Sequence, residues 1–275
     1  MSRAAVLGSP IAHSLSPVLH RAAYAALGLS DHRYDRFEVD EAGLPGFLSS
    51  LDVEGEGWTG LSLTMPLKRA VIPLLDEVSE RALAVDAVNT VLFHPDGRRT
   101  GDNTDVPGLL AALRERGVER VGSASVLGAG ATASSALAAL ARICDGEVTA
   151  YVRGPERAAQ MRELGERLGV RVVTAPWERA AEGLAAPLTV STTPAGATDG
   201  LASAVPAEPG TLFDVLYHPW PTALAAAWAG RGGSVLGGLD LLVHQAVLQC
   251  EFFTGVRPAP LAAMRAAGEA ALAGN

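Results

Sequence analysis

Short runs of apolar, β-prone residues alternate with Ala- and Leu-rich stretches of helical spacing along the whole chain, the pattern of an α/β protein. Residues 4–7 predict a first strand, and Pro17 suits the opening turn of a helix running to about residue 27. Further strands are expected at 34–39, 60–63 and 90–93, the last ending in the turn Pro95-Asp96-Gly97. Pro66 opens a predicted helix over 66–75, and residues 79–85 supply another.

After Asp105 a helix over 106–116 reads as a connector, and from Ser123 the pattern restarts. A strand, a Gly-rich turn and a helix over 132–143 are followed by strand 147–152, helix 156–168 and strand 170–174. That succession predicts one mononucleotide-binding half of a doubly wound parallel sheet. Strands at 188–191 and 212–216 follow, then helices at 238–253 and 260–273 whose apolar spacing suits docking. The expectation is two α/β domains with the active-site cleft between them. Residues 1–103, completed by helices 238–275, would form a substrate domain, and 104–237 a Rossmann-type dinucleotide domain.

The turn after the strand that begins near Ser123 reads Gly128-Ala129-Gly130-Ala131-Thr132-Ala133, a G-x-G-x-x-A loop that opens a helix. Glycines there allow the tight turn and the close approach of backbone N–H groups to a pyrophosphate at the helix's positive end. Gly128, Ala129, Gly130, Ala131 and Thr132 are therefore candidate cofactor contacts. The next strand ends in Arg153, with Arg157 one helical turn further on, where an NAD enzyme places an acid for the ribose. Two guanidinium groups attract the 2′-phosphate of NADP instead. Glu156 between them leaves NAD open, and a merely solvated helix start is the plainer alternative.

Composition narrows the class. The chain has 275 residues, 48% hydrophobic and 19% charged, with a net charge of −8. A globular protein of that sign without a basic tract is not expected to bind nucleic acid. No apolar run reaches the roughly 18 residues of a membrane span, and the first residues lack a signal-peptide core, so a cytoplasmic protein is expected. Cys144 and Cys250 lie apart in apolar segments and read as buried free thiols. The six histidines show no ligand spacing, so no metal is expected.

Polar residues crowd onto turn-forming backbone in two places, Gly8 to Pro17 and Gly101 to Asp105. Ser14 and Ser16 flank Leu15, so in an extended segment both hydroxyls would face one way, a pair suited to a carboxylate. Capping by Ser16 ahead of Pro17 is the alternative. Lys68 reads equally as a surface lysine, Asp105 as the cap of the helix after it, and Asn89 and Asn103 as turn residues. These candidates recur after successive strands, where an open α/β sheet presents its ligand crevice.

Taken together and in order, five segments resemble the motif set of shikimate dehydrogenase, over nearly the whole chain. They are Gly8 to Pro17, Thr64-Met65-Pro66-Leu67-Lys68, Ala87-Val88-Asn89-Thr90, Gly101 to Asp105, and Gly238-Leu239-Asp240-Leu241-Leu242-Val243-His244-Gln245. The resemblance implies that Ser14 and Ser16 hold the carboxylate of shikimate. It implies substrate contacts at Thr64, Asn89, Asp105, Tyr217 and Gln245, and cofactor contacts at Val215 and Gly238. It further implies reversible hydride transfer from NADPH to 3-dehydroshikimate, in the pathway to chorismate and the aromatic amino acids, with Lys68 as acid/base and Asp105 as its orienter. A monomer or homodimer is expected.

Three departures stand out. Ser62 occupies a position where the family often has Asn, Asp86 one where glycine is common, and Val152-Arg153-Gly154 a run that is commonly Asn-Arg-Thr. The last keeps the arginine without its polar flanks and predicts weaker recognition of NADP. The alternative functions are an NAD-preferring quinate/shikimate dehydrogenase and a non-catalytic NADP-binding regulator, the latter disfavoured by the presence of both Lys68 and Asp105.

Overall fold

The computed structural model describes residues 2–274. In chain order the elements begin with β1 (Ser2–Gly8), α1 (Ser16–Ala26), β2 (His32–Glu38), α2 (Leu44–Ser50), α3 (Val53–Glu56) and β3 (Trp58–Leu63). Next come α4 (Leu67–Ala70), β4 (Glu77–Val78), α5 (Glu80–Val85), β5 (Thr90–Phe93) and β6 (Arg99–Asp102). The second half has α6 (Asp105–Glu115), β7 (Ala124–Leu127), α7 (Ala131–Leu140), β8 (Val148–Val152), α8 (Pro155–Leu168) and β9 (Val172–Pro176). It continues with β10 (Leu188–Ser191), β11 (Thr211–Asp214), α9 (Ala223–Gly230) and β12 (Ser234–Leu236), and the chain closes with α10 (Gly238–Thr254) and α11 (Leu261–Ala273). Short 3₁₀ turns occupy Ile72–Leu74, Trp177–Ala185 and Asp199–Ala204. None of the described helices is long and apolar enough to cross a membrane.

The chain divides into two compact units, Met1–Thr104 with Leu242–Asn275, and Asp105–Leu241. The first holds a six-stranded sheet in the order β2-β1-β3-β5-β6-β4. β1 pairs in parallel with β2 and β3, while β5 runs antiparallel to both β3 and β6. That reversal matters for function, because it brings the start of β5 to the same end of the sheet as the finish of β1, β3 and β6. Leu7, Leu61, Leu63, Leu67 and Val91 are buried on this sheet, and α11 packs along α1.

The second unit has an all-parallel sheet in the order β12-β11-β10-β7-β8-β9. Counted from its own first strand this is the doubly wound order, reversing between β7 and β10. Its central strands β7 and β10 are buried on both faces, as helices covering both sides require. All four residues of β7 and of β10 are buried.

Several sequence expectations need correction. The helix predicted over 66–75 stops at Ala70 and gives way to a 3₁₀ turn, because Pro73 has no N–H to donate and its ring clashes with the preceding turn. Segment 14–16 is not extended. Leu15 has φ −85° and ψ −5°, and α1 already begins at Ser16, so alternation does not put the two serines on one face. Ser16 is not a cap either; the Ser16 N–H donates to Ser14 Oγ at 3.3 Å. The strand expected at 170–174 lies two residues later, at β9. Cys250 is buried, but Cys144 is only half-buried.

Candidate functional site

In the first unit the sheet gathers its candidate residues at one end of the strands. Ser14 and Ser16 follow β1, Thr64 and Lys68 follow β3, Thr104 follows β6, and Asn89 precedes the reversed β5. Backbone bonds fasten these loops together. Thr64 N–H donates to Leu7 O at 3.0 Å, Val88 N–H to Lys68 O at 2.8 Å, and Asn89 N–H to Asp102 O at 3.1 Å. Thr64 and Lys68 are half-buried, as is Ser14, while Ser16 is 5% exposed and Asn89 2%.

Asn89 sits at the centre of a buried polar cluster. Its Oδ1 accepts from the Thr104 backbone N–H and from Thr90 Oγ1, each at 2.8 Å. Its Nδ2 donates to Thr104 Oγ1 at 2.9 Å and, more weakly, to Gln245 Oε1 at 3.4 Å. Gln245 Nε2 donates to Leu242 O at 2.8 Å. One turn further along α10, Gln249 donates to Asn89 O at 3.0 Å and Thr90 Oγ1 at 2.9 Å. Its Oε1 accepts from Ser62 Oγ at 2.7 Å, and Ser62 Oγ accepts from Tyr34 at 2.6 Å. Sequence reading singled out Asn89, Gln245 and Ser62 but missed Tyr34, Thr104 and Gln249. The available signal for Gln249 was its place four residues after Gln245, on the same helix face.

Below this cluster, Asp102 accepts from Ser79 Oγ and Arg81 Nε, both at 2.6 Å. Burial alone would raise its carboxyl, but Arg81 and Ser79 outweigh that and hold it below the usual carboxylate range. The pair anchors α5 against the end of β6, and so the loop that carries Asn103 and Thr104. Asn103 is itself structural. It is fully buried and donates to Ala87 O at 2.9 Å.

In the second unit, Gly128 and Thr192 lie at the carboxyl ends of β7 and β10, where the strand order reverses. Gly128 has φ +113°, a conformation side chains rarely adopt, and a Cβ there would stand 2.6 Å from Thr192 Oγ1. The loop is thus a cradle only glycine allows. Gly130 takes the N-cap position of α7, and no side chain caps the helix, so the first-turn N–H groups of Ala131 and Thr132 are left to an anion. The backbone fits a dinucleotide pyrophosphate. Beside it, Thr193 Oγ1 is buried with no hydrogen-bond partner among the described residues. The signal missed here was Ser191-Thr192-Thr193-Pro194, a hydroxyl-rich turn directly after a strand.

Arg153 and Arg157 are exposed beyond β8, and Arg157 donates to Gln160 Oε1 at 3.1 Å. Val215 and Gly238 meet backbone to backbone, since a Cβ on Gly238 would stand 2.2 Å from Val215 O. Asp214 steadies that turn by accepting from Thr222 Oγ1 at 2.8 Å, and burial raises its carboxyl. Tyr217 follows, its phenol also raised by burial. Asp105 opens α6 and is buried.

Comparison with known proteins decides the family. Residues 6–91 match the family described as shikimate dehydrogenase substrate binding domain, and residues 238–267 the shikimate 5'-dehydrogenase C-terminal domain. A Thermus thermophilus relative named shikimate dehydrogenase (NADP(+)) is 40% identical over 264 residues, covering 94% of this chain and 95% of its own. The chain belongs to the shikimate dehydrogenase family. Among solved structures, shikimate dehydrogenase of Mycobacterium tuberculosis superposes with a TM-score of 0.88 at 43% identity, covering 98% of this chain and 100% of its own. A Thermus thermophilus shikimate 5-dehydrogenase in complex with NADP(H) and shikimate gives 0.83 at 37%, over 98% and 100%. The resemblance carried by the five motifs is borne out, and so is the α/β fold. Four of those motifs lie within the matched segments of this shikimate dehydrogenase family member; the fourth in order, Gly101 to Asp105, lies between them.

Proposed function

We propose that this protein is an NADP-dependent shikimate dehydrogenase that interconverts 3-dehydroshikimate and shikimate. The observation that carries this reading is the likeness, over nearly the whole chain, to a solved structure holding NADP(H) and shikimate. The first unit is then the substrate domain and the second the cofactor domain. Bound NADPH supplies the hydride.

The chain's own residues do the rest. As negative charge grows on the carbonyl oxygen, Lys68 Nζ delivers the proton there, and in the reverse direction its amine receives it. Asp105 orients the proton-transfer groups and a ring hydroxyl. Ser14 and Ser16 take the carboxylate, and Thr64, Asn89, Tyr217 and Gln245 the remaining polar edge. A site of matched hydroxyl and amide partners rejects an analogue that lacks a hydroxyl by leaving its own groups unpaired. Gly128 to Thr132 hold the pyrophosphate, Arg153 and Arg157 the 2′-phosphate, and Val215 and Gly238 contact the cofactor. Two free thiols suit a reducing compartment, and the reading extends to a cytoplasmic monomer or homodimer.

The test is a four-way assay of shikimate and quinate, each with NADP⁺ and NAD⁺, followed optically. Shikimate with NADP⁺ is expected to give the highest kcat/KM. A preference for quinate with NAD⁺ would replace this reading by its nearest rival. No reduction with any pair would point to a non-catalytic role.

A further inference from the structure

β8 and β9 run parallel with Val152 opposite Pro176, so the next residues to leave the two strands are Arg153 and Trp177. The guanidinium carbon of Arg153 lies over the indole, 5.5 Å from the ring centroid. Trp177 is itself held, packed against the buried cluster that includes Tyr151, Ala180 and Leu184. Arg153 is exposed, and no hydrogen bond or ion pair to another described residue takes up its donors.

We propose that Trp177 is a positioning residue that presents Arg153 to the 2′-phosphate and thereby sets the preference for NADP over NAD. The proposal rests on the assignment of Arg153 made above. A guanidinium stacked on an aromatic face is attracted by the ring quadrupole, while its N–H donors lie in its own plane and stay available to an anion. Holding a long side chain in one rotamer beforehand also lowers the ordering cost of binding. This chain needs such support because the flanks of Arg153 offer none. Val152 is a buried apolar residue, and Gly154 has φ +80° and no side chain. The indole replaces the neighbouring polar groups, so NADP recognition is stronger than the local sequence alone predicts.

The experiment titrates the full-length protein with 2′,5′-ADP and with 5′-AMP, which lacks the 2′-phosphate, by calorimetry. W177L is expected to weaken 2′,5′-ADP about two- to fivefold with 5′-AMP unchanged, and W177F to bind both like the parent. R153A is expected to lose more, and R153A/W177L no more than R153A. Because Trp177 also packs against the core, R153K gives a second measure that alters only an exposed side chain. An ammonium cannot stack and fork together, so R153K should lose at least as much as W177L. Parent-like binding by W177L or R153K, or additive losses in the double variant, overturns the coupling. Parent-like binding by R153A removes the underlying assignment and the proposal with it. In turnover, W177L should raise KM for NADPH and leave kcat and KM for NADH unchanged.

Discussion

The side-chain amide of Gln249 donates to the backbone carbonyl of Asn89 across 160 residues of sequence, and this bond fixes the direction of a whole network. A carbonyl can only accept, so the amide nitrogen must face it and Gln249 Oε1 must face Ser62. Ser62 therefore donates to Gln249 and accepts from Tyr34. On the other side the Thr104 backbone N–H can only donate, which turns Asn89 Oδ1 toward it and Nδ2 toward Thr104 Oγ1 and Gln245. Two main-chain groups thus set the orientation of both side-chain amides. The Ser62 departure keeps this logic, since a hydroxyl both accepts and donates.

Gln249→Leu should therefore cost more than one hydrogen bond. It leaves the buried Ser62 hydroxyl, which still accepts from Tyr34, with no acceptor for its proton, about 1–3 kcal/mol. It also removes the bonds to Thr90 Oγ1 and to the Asn89 carbonyl, which keeps the Leu63 N–H at 2.8 Å, for about 1 kcal/mol more. A loss of about 2–4 kcal/mol in urea unfolding is expected. With Asn89 less firmly held, KM for shikimate should rise several-fold and KM for NADPH stay constant. An unchanged unfolding midpoint would show that the network is dispensable.

Lys68→Ala isolates the proton-transfer step. Lys68 is half-buried at the end of the sheet where the motif loops converge, so its loss should disturb packing little. General acid–base help is on the order of 10²-fold or more, and kcat should fall by at least that much. Binding of NADPH, read by fluorescence titration, should stay within error of the parent. Near-parental turnover would remove the lysine from the chemistry.

His20 gives the protein an acid-sensitive core. It is fully buried, stacked on Tyr34 with ring centroids 4.0 Å apart at 6°, and neither ring nitrogen is hydrogen-bonded to a described residue. Burial pushes it from 6.5 down to about 3, with the nearby Gln249 amide offsetting only part. Between those values the unfolded chain takes up a proton that the folded chain refuses. Stability from this group is therefore complete above about pH 6.5 and falls by about 1.4 kcal/mol per pH unit as acid is added, down to about pH 3. His20→Phe keeps the stack and removes the proton. The difference in unfolding free energy between parent and variant should grow steadily from pH 7 to pH 4; a constant difference would show that His20 titrates normally.

How much of this was legible in the sequence depended on how local the cause was. The nucleotide loop announces itself because an apolar strand, two glycines and an Ala-rich helix are contiguous. The β10 strand, four buried residues between turns, was equally plain. By contrast β6 reads Arg99-Thr100-Gly101-Asp102 and looks like a turn; it is a strand only because β5 pairs with it. α2 carries Gly46 within only seven residues, which local propensity disfavours and packing of Leu44 and Leu48 overrides; Pro45 sits in its first turn, where proline is tolerated. The motif residues were visible as polar groups crowded onto turns. Tyr34, Thr104 and Gln249 were not, because each alone is an ordinary residue and its role comes from partners far away in the chain.

Asp86 is the departure whose cost can be measured. It caps α5 at φ 52° and ψ 46°, the left-handed region, and it is the one described non-glycine residue with positive φ. Side chains pay roughly 1–2 kcal/mol there, Asp at the lower end. What the aspartate gains in return is an ion pair with Arg69 at 3.1 Å, with both partners well exposed, a contact worth about 0–1 kcal/mol. Glycine removes the backbone cost but adds freedom to the unfolded chain, about 0.4–1 kcal/mol. The terms nearly cancel, so Asp86→Gly is expected to lie within about 1 kcal/mol of the parent. Asp86→Ala keeps the strained backbone, loses the ion pair and should fall about 1 kcal/mol below the glycine variant. Thermal unfolding of the three proteins distinguishes the terms. Equal stability of Ala and Gly would mean that the ion pair, not the left-handed backbone, decides which residue this cap tolerates.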